Sequence, residues 1–228
     1  MNVKDKLLER EKEILRLLNI FVNKKANFIV VGGYAIATYK KRFSVDLDLV
    51  IEEKSLSEFE RLCKKEGYIE NYNKEISLLY GEKFKRWTKK ISGLDISVDF
   101  LINGLVSRST DATWSFDYIK THSSEGELDS LKFLTPEREL LVAMKLHSGR
   151  LADIRDVIAL MPCNEKKLEK HILKGSIQKL KEHIARQKAF IEKPQFDDSF
   201  KGIFGLFSYK KENVEAAKLL IQKILKYQ

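Results

Sequence analysis

Apolar and polar residues recur along this chain with two periods, and the period changes several times in the first hundred residues. Apolar positions at helical spacing predict amphipathic helices, and short apolar runs predict buried strands. One of these helices has Ser55 or Ser57 as its N-cap candidate, runs to about residue 65 and is ended by Gly67. The elements predicted up to that glycine are helices over residues 4–23, 34–39 and 55–65, and strands over residues 27–31 and 43–51.

Residues 75–102 have the alternation and β-branched content of strands. Three runs are predicted there, over residues 75–80, 83–91 and 94–102. The pair Ser92-Gly93 between the last two runs predicts a hairpin turn. Residues 103–127 are polar and rich in turn residues, so the pattern assigns them no element.

The remainder of the chain has the pattern of helices after one short strand over residues 128–134. The pair Thr135-Pro136 predicts a helix start, because a capping hydroxyl precedes a proline at the first helical position. The predicted helices are one that ends at Gly149, one over residues 153–161, and Lys-rich helices over residues 165–190 and 211–227. These patterns predict an α/β N-terminal domain over residues 1–127 and a helical C-terminal region over residues 128–228.

Composition narrows the setting in which the protein works. The 228 residues are 43% hydrophobic and 33% charged, no apolar run reaches membrane-spanning length, and the charged N-terminus does not have the pattern of a signal peptide. Cys63 and Cys163 have no metal-ligand spacing, so we expect a reduced, cytoplasmic protein without membrane contact. The net charge of +9 fits an anionic partner, a nucleoside triphosphate or a nucleic acid, but a Lys-rich composition or a solvated surface explains it equally well.

The second predicted strand carries the candidate chemistry. Asp46 and Asp48 are two residues apart, so their side chains point to one face of the strand, while Val45, Leu47 and Leu49 are expected to face the core. A third carboxylate on a neighbouring strand would complete a site for hard divalent ions. Asp99 is the first candidate, and Asp95, on the same face of that strand, is the alternative. Such a site favours Mg²⁺ or Mn²⁺.

The pair Gly32-Gly33 follows a strand and opens a helix. Without side chains, the backbone can approach a phosphate, and a helix N-terminus offers free N–H groups. A tight turn is the simpler interpretation of two glycines. The ordered combination of strand, glycine pair, helix and two spaced aspartates favours chemistry on a nucleoside triphosphate, with Gly32 and Gly33 as phosphate contacts.

Residues 28–50 resemble the nucleotidyltransferase motif of the DNA polymerase β superfamily, in which a glycine pair precedes DxD. With Arg42 and Ser44 before Asp46-Leu47-Asp48, the segment is similar to the RxTxDxD variant of AbiEii-type toxins, the toxin halves of type IV toxin–antitoxin pairs, to which the MenT toxins are related. The resemblance implies a polymerase-β-like core with a mixed sheet. It also implies that Arg42 and Ser44 contact the nucleotide from the face of the two aspartates, although both could simply decorate a strand edge.

Residues 131–160 resemble the helical segment of the same family. By that likeness Lys145 reaches the triphosphate, and Asp153 and Asp156 shape the site or hold Lys145. On physical grounds alone these two aspartates could equally pair with Arg150 or Arg155. Residues 165–228 match no known pattern, so their role stays open between capping the core, binding RNA and forming an oligomer interface.

The resemblance implies a two-metal enzyme that transfers a nucleoside monophosphate from an NTP to RNA, with the 3′ end of tRNA as the expected acceptor. It would act as a toxin with a cognate antitoxin. An antibiotic or protein hydroxyl is the alternative acceptor, and a catalytically silent interaction or antitoxin module is the alternative class.

One further segment is a basic strand that contains the aromatic residues Phe84 and Trp87. Its composition suits either a surface for single-stranded nucleic acid or an ordinary hairpin with a solvated face. The cations of this strand are Lys83, Lys85, Arg86, Lys89 and Lys90.

Overall fold

Contacts divide the chain into two units whose segments alternate along the sequence. The computed structural model describes residues 3–71, 84–205 and 209–227. Unit 1 comprises Met1–Thr38, Phe43–Leu105 and Ser115–Pro136, and unit 2 comprises Tyr39–Arg42, Val106–Trp114 and Glu137–Gln228. The division predicted after residue 127 follows chain order, whereas these units each take up separate stretches of the chain.

Unit 1 contains a mixed sheet of five strands in the order β1-β2-β5-β4-β3. Strands β2 and β5 are parallel, and the other neighbouring pairs are antiparallel. Parallel pairing needs a long connection, which the residues between β2 and β5 provide. The strands are β1 (Phe28–Val31), β2 (Asp46–Ile51), β3 (Ile69–Glu70), β4 (Phe84–Ile91) and β5 (Leu94–Ile102).

Aromatic rings from the sheet and two helices form the core of unit 1. Phe59 packs 5.1 Å from Phe21 and 5.4 Å from Phe100, measured between ring centroids. The helices of unit 1 are α1 (Val3–Asn23), α2 (Gly32–Ala37), α3 (Leu56–Lys65) and α4 (Phe116–Thr121), with a short 3₁₀ helix over Glu53–Ser55. Two further strand pairs follow the sheet in the chain: β6 (Gly104–Ser107) with β7 (Ala112–Ser115), and β8 (Ser123–Leu128) with β9 (Leu131–Pro136).

Unit 2 is predominantly helical. Its helices are α5 (Arg138–His147), α6 (Ile154–Ala159), α7 (Glu165–Ile172), α8 (Ile177–Ile191), α9 (Phe196–Phe204) and α10 (Lys211–Leu225), with a 3₁₀ helix over Leu151–Asp153. The α/β fold with a mixed sheet and C-terminal helices is therefore confirmed. Among the described residues, the helices are all too short or too polar to cross a membrane.

Several predicted boundaries were wrong. The second strand begins at Asp46 and not at residue 43, and Val45 is 39% exposed, whereas Leu47 and Leu49 are buried as predicted. The pair Thr135-Pro136 ends strand β9, and helix α5 begins only at Arg138. Proline has a fixed φ and no backbone N–H, and both properties are tolerated at a strand end as well as at a helix start.

Two other segments differ from their prediction. Residues 103–127 contain β6, β7, α4 and β8, which are too short to show a clear period. The helix predicted over residues 165–190 is two helices, because Ser176 caps α8 by accepting a hydrogen bond from the backbone N–H of Lys179. The strand predicted over residues 75–80 lies outside the described residues.

Candidate active site

Three carboxylates lie on one face of the sheet in unit 1, where β2 runs beside β5. In the parallel register Asp48 is opposite Asp99, and Asp46 is opposite Ser97. Residues opposite each other on neighbouring strands point to the same face, so Asp46, Asp48 and Asp99 form one cluster. Asp95 is opposite Lys90 at the exposed start of β5, about 13 Å from Asp99 at the usual rise of a strand. The structure brings Asp99 to the two aspartates of β2 and leaves Asp95 apart.

The first residue of helix α2 lies against this cluster. Gly32 has a φ of +63°, and a Cβ added to it would lie 1.9 Å from Oδ2 of Asp48. Only glycine therefore allows the backbone to pass so close to this carboxylate without strain. Gly33 is buried in the first turn of α2, next to it in the chain.

Arg86 is the functional candidate that the sequence pattern did not single out. It lies opposite Asp99 on β4, and its guanidinium donates two hydrogen bonds to that carboxylate, Nε to Oδ1 at 2.7 Å and Nη2 to Oδ2 at 2.5 Å. The signal was present in the sequence: a two-residue turn at Ser92-Gly93 pairs Ile91 with Leu94, and counting back from it pairs Arg86 with Asp99.

The cluster has an unusual balance of charge. Burial raises the pKa of the Asp99 carboxyl, the hydrogen bonds and charge of Arg86 oppose that shift, and the charge of Asp46 adds to it. The hydrogen bonds to Asp99, together with the charges of Asp99, Asp46 and Asp48, raise the pKa of Arg86. Ser97 also donates a hydrogen bond from its hydroxyl to Oδ1 of Asp46. The positive charge of Arg86 therefore interacts with all three carboxylates of the cluster.

A second charged cluster lies in unit 2, around Lys145 on α5. The Nζ atom of this buried lysine is 2.8 Å from Oδ2 of Asp156 and 3.2 Å from Oδ1 of Asp153. Burial lowers the pKa of Lys145, but the charges of Asp156 and Asp153 outweigh burial and leave that pKa raised. The two aspartates therefore favour the charged ammonium form of Lys145 and hold it in place. Asp153 also accepts a hydrogen bond from the exposed Arg150, at 3.0 Å.

Arg42 and Ser44 do not lie on the strand with the aspartates, so the predicted shared face was wrong. Both precede β2, which begins only at Asp46. Arg42 belongs to unit 2 and forms an ion pair with Asp156 through Nη1. Ser44 donates from its hydroxyl to the carbonyl of Asp46 at 3.2 Å, and its own carbonyl accepts a hydrogen bond from the Tyr34 hydroxyl.

The cations of β4 are largely neutralised within unit 1. Lys85 pairs with Glu60 at 2.6 Å, and Lys89 pairs with Glu13 at 2.8 Å. Trp87 is 1% exposed and cannot stack on a base. Lys83 lies outside the described residues. The described part of the strand therefore favours an ordinary hairpin over a surface for single-stranded nucleic acid.

The donor set of the unit 1 cluster fits a hard divalent cation. Mg²⁺ prefers a few carboxylate oxygens and keeps several waters, and Asp46 and Asp48 are half-buried on one face. Each oxygen of Asp99 accepts one hydrogen bond from Arg86 and keeps a second lone pair. All three side chains can therefore serve as ligands without a change of fold.

Comparison with known proteins finds similar solved structures at low identity. The lincosamide antibiotic adenylyltransferase LnuA, lincomycin-bound, matches at 17% identity and a TM-score of 0.48, covering 66% of this chain and 95% of that chain. ANT(2″)-Ia in complex with adenylyl-2″-tobramycin matches at 15% identity and a TM-score of 0.42, covering 78% of this chain and 95% of that chain. A nucleotidyltransferase-like protein from Paracoccidioides brasiliensis, described as antigenic, matches at 14% identity and a TM-score of 0.45, covering 85% of this chain and 93% of that chain.

No protein-family model matches the chain, and no curated protein is similar enough to count as a relative. The structural likenesses are too low in identity and TM-score to assign a function, so a function has to be inferred from the residues of the chain itself.

Proposed function

We propose that the protein is a metal-dependent nucleotidyltransferase of the polymerase β type, which moves a nucleoside monophosphate from an NTP to an acceptor hydroxyl. The observation that carries the proposal is the register of β2 and β5, which places Asp48 opposite Asp99 with Asp46 on the same face. Three carboxylates on adjacent strands are a donor set for Mg²⁺ or Mn²⁺. When bound, such ions activate the attacking hydroxyl and neutralise charge on the leaving pyrophosphate.

The residues of the cluster have separable tasks in this proposal. Asp46, Asp48 and Asp99 are the metal ligands. Gly32 allows the backbone to approach Asp48 and, with Gly33, contacts the triphosphate. Ser97 restricts the orientation of Asp46 through its hydrogen bond. The cluster is therefore held in place by its own strand neighbours before any ligand arrives.

Lys145 and Arg42 are the proposed cations for the triphosphate. Asp156 accepts from both, Oδ2 from Lys145 and Oδ1 from Arg42, so one carboxylate fixes two positive groups at once. The donors of an ammonium and of a guanidinium that remain can bind phosphate oxygens. Ser44 takes part indirectly, by supporting the main chain that leads into Asp46.

RNA is the acceptor we propose, with the 3′ end of tRNA first among its sites. The support is the distribution of charge. Unit 2 holds 23 Lys and Arg against 13 Asp and Glu, so its net charge is +10 and that of unit 1 is −1. A helical unit that carries the whole positive excess suits a polyanion. The biological role we propose is that of a cytoplasmic toxin with a cognate antitoxin.

Transfer of label from each α-³²P-labelled NTP tests the proposal. Total RNA, purified tRNA, an aminoglycoside and a lincosamide are offered as acceptors, with Mg²⁺ or Mn²⁺. We expect label in RNA with the wild-type protein and none with Asp46→Ala/Asp48→Ala. Asp95→Asn is the matched control, because it removes an exposed carboxylate from β5, the strand that carries Asp99, and should leave transfer unchanged.

Each other outcome has a defined meaning. Label in an antibiotic but not in RNA would keep the chemistry and replace the acceptor. Label that persists in the double aspartate variant would show that the cluster is not the site. Absence of label in every acceptor, with the protein folded, would favour a catalytically silent interaction module.

A further inference from the structure

Arg86 lies beside the carboxylates that are proposed to bind the metal ions. It reaches Asp99 with both arms of its guanidinium, and the side chain of Asp99 is only 5% exposed. A buried carboxylate without a counter-ion would cost several kcal/mol, so loss of Arg86 alone would leave Asp99 destabilising β5. The charges of Asp46 and Asp48 also act on Arg86, which makes it a counter-ion for the whole cluster.

A guanidinium at this place has two opposite effects on a divalent cation. It holds Asp99 in the orientation that a ligand needs, which favours binding. Its own positive charge repels the ion and lowers affinity, because charges a few ångströms apart still interact by kilocalories in a partly buried site. The repulsion is relieved when the metal arrives with the negative charge of a triphosphate.

We propose that Arg86 is a positioning residue that occupies the carboxylate cluster as a resident cation and keeps free metal weakly bound until nucleotide is present. This inference rests on the proposed function, since it presumes that the cluster binds metal. It assigns to Arg86 the coupling between metal and nucleotide binding, and not a contact with the reacting atoms.

Titration of free Mn²⁺, followed by electron paramagnetic resonance, tests the inference without any turnover. We expect Arg86→Gln to bind Mn²⁺ on the order of tenfold more tightly than wild type in the absence of nucleotide, because one repelling charge is gone. With a non-hydrolysable NTP analogue present, the difference should shrink to within about twofold. Arg86→Lys keeps the charge and should bind Mn²⁺ like wild type.

Lys89→Gln is the matched control. Its side chain is 25% exposed against 23% for Arg86, it lies on the same strand, and its partner Glu13 is outside the cluster. It should lose some stability but leave the affinity for Mn²⁺ unchanged. If Arg86 had only a structural role, Arg86→Gln would leave the affinity for Mn²⁺ unchanged, as Lys89→Gln is expected to do.

A second pair of variants covers the case in which Arg86→Gln does not fold. Asp99→Asn alone leaves the guanidinium beside Asp46 and Asp48, whereas Asp99→Asn/Arg86→Gln places two neutral amides opposite each other. The double variant should bind Mn²⁺ more tightly than Asp99→Asn.

The failures of the two proposals are distinguishable. Equal or weaker Mn²⁺ binding by Arg86→Gln, or by the double variant relative to Asp99→Asn, would overturn the inference while leaving the metal site intact. Absence of Mn²⁺ binding by wild type and all variants, with or without nucleotide, would overturn the proposed function and the inference with it.

Discussion

Gly32 is a residue at which the main chain passes close to a carboxylate of the cluster. Its φ of +63° lies in the left-handed region, and its missing Cβ leaves room for Oδ2 of Asp48. Two separate physical requirements therefore select glycine at this position: a backbone conformation and a close approach. The pair Gly32-Gly33 is visible in the sequence, but the approach of Asp48 is visible only once β2 pairs with β1 and places Val31 opposite Asp48.

Gly32→Ala should be among the most damaging small substitutions in unit 1. The added methyl would collide with Asp48 in a strained backbone conformation, so we expect a loss of roughly 2–4 kcal/mol in the free energy of unfolding. We also expect Mn²⁺ binding to be lost. Urea unfolding and Mn²⁺ titration measure the two effects.

Gly67→Ala separates the two causes. Gly67 has a φ of +79°, but the nearest atom to an added Cβ is 3.9 Å away, at the flexible Cε of Lys89. It should cost only about 1 kcal/mol and leave metal binding intact. Equal losses in the two variants would mean that the contact with Asp48 contributes nothing.

At the scale of elements, helices α5 and α6 are joined by a network of buried charge. Lys145 on α5 meets Asp156 on α6 and Asp153 at the end of the preceding 3₁₀ helix, and Arg42 meets the other oxygen of Asp156. The helical period predicts the helices, but it does not predict that a lysine in the middle of α5 is 8% exposed. Long amphipathic helices more often solvate their lysines, so burial of this one depends on its two aspartates.

Removing two members of this network should cost less than the sum of the two single removals. Lys145→Met removes a positive charge that is paired with the buried carboxylates of Asp153 and Asp156. We expect this change to lower the free energy of unfolding by about 3 kcal/mol. Asp156→Asn should have a similar effect, because Lys145 and Arg42 lose a shared partner.

The double variant Lys145→Met/Asp156→Asn is the informative measurement. Its destabilisation should be smaller than the sum of the single effects by about 1 kcal/mol or more, as expected for groups in direct contact. Strict additivity in urea unfolding would argue that the ion pair is not formed in solution.

At the scale of the whole molecule, a buried histidine makes stability depend on pH. His147 is fully buried in unit 2, with Nδ1 2.7 Å from the Thr110 hydroxyl and Nε2 2.9 Å from the carbonyl of Ile172. A neutral ring satisfies both contacts, Nε2–H donating to the carbonyl and Nδ1 accepting from the hydroxyl. Burial lowers the pKa of His147 to about 4, from an ordinary value of 6.5.

The sign of the effect follows from the two pKa values. Between pH 4 and 6.5 the unfolded chain binds a proton at His147 that the folded protein does not, so stability falls as the pH falls. The full contribution is present above pH 6.5. Acidification from pH 7.5 to 4.5 should cost on the order of 2–3 kcal/mol from this group.

Urea unfolding over that pH range, in wild type and His147→Gln, tests the assignment. The variant is expected to be less stable at pH 7.5. Below pH 6.5, the slope of its free energy of unfolding against pH should be smaller than that of wild type by the contribution of about one proton. His183 is the comparison, since burial lowers its pKa as well, and His183→Gln should remove a separate part of the slope. An unchanged slope in His147→Gln would mean that other groups dominate the acid response.

Local patterns in the sequence determined much of this protein. Alternation placed Asp46 and Asp48 on one face, because a strand has a period of two. The turn Ser92-Gly93 determined the register of β4 and β5, because a two-residue turn permits only one pairing, and β5 was predicted over residues 94–102, as observed. Helical spacing predicted α1 to within one residue at its start. All of these depend on neighbours in sequence.

Other features were decided only by tertiary structure, because they depend on contacts between distant residues. The parallel pairing of β2 with β5 joins strands about fifty residues apart and brings Asp99, and not Asp95, beside Asp46 and Asp48. The burial of Trp87 and the pairing of Lys85 and Lys89 favour an ordinary hairpin over a nucleic-acid surface, the two alternatives that the sequence of the basic strand left open. Arg42 forms an ion pair with Asp156, which lies more than one hundred residues later in the sequence. Periodicity describes which face a side chain occupies, whereas burial and charge pairing depend on which surface that face meets.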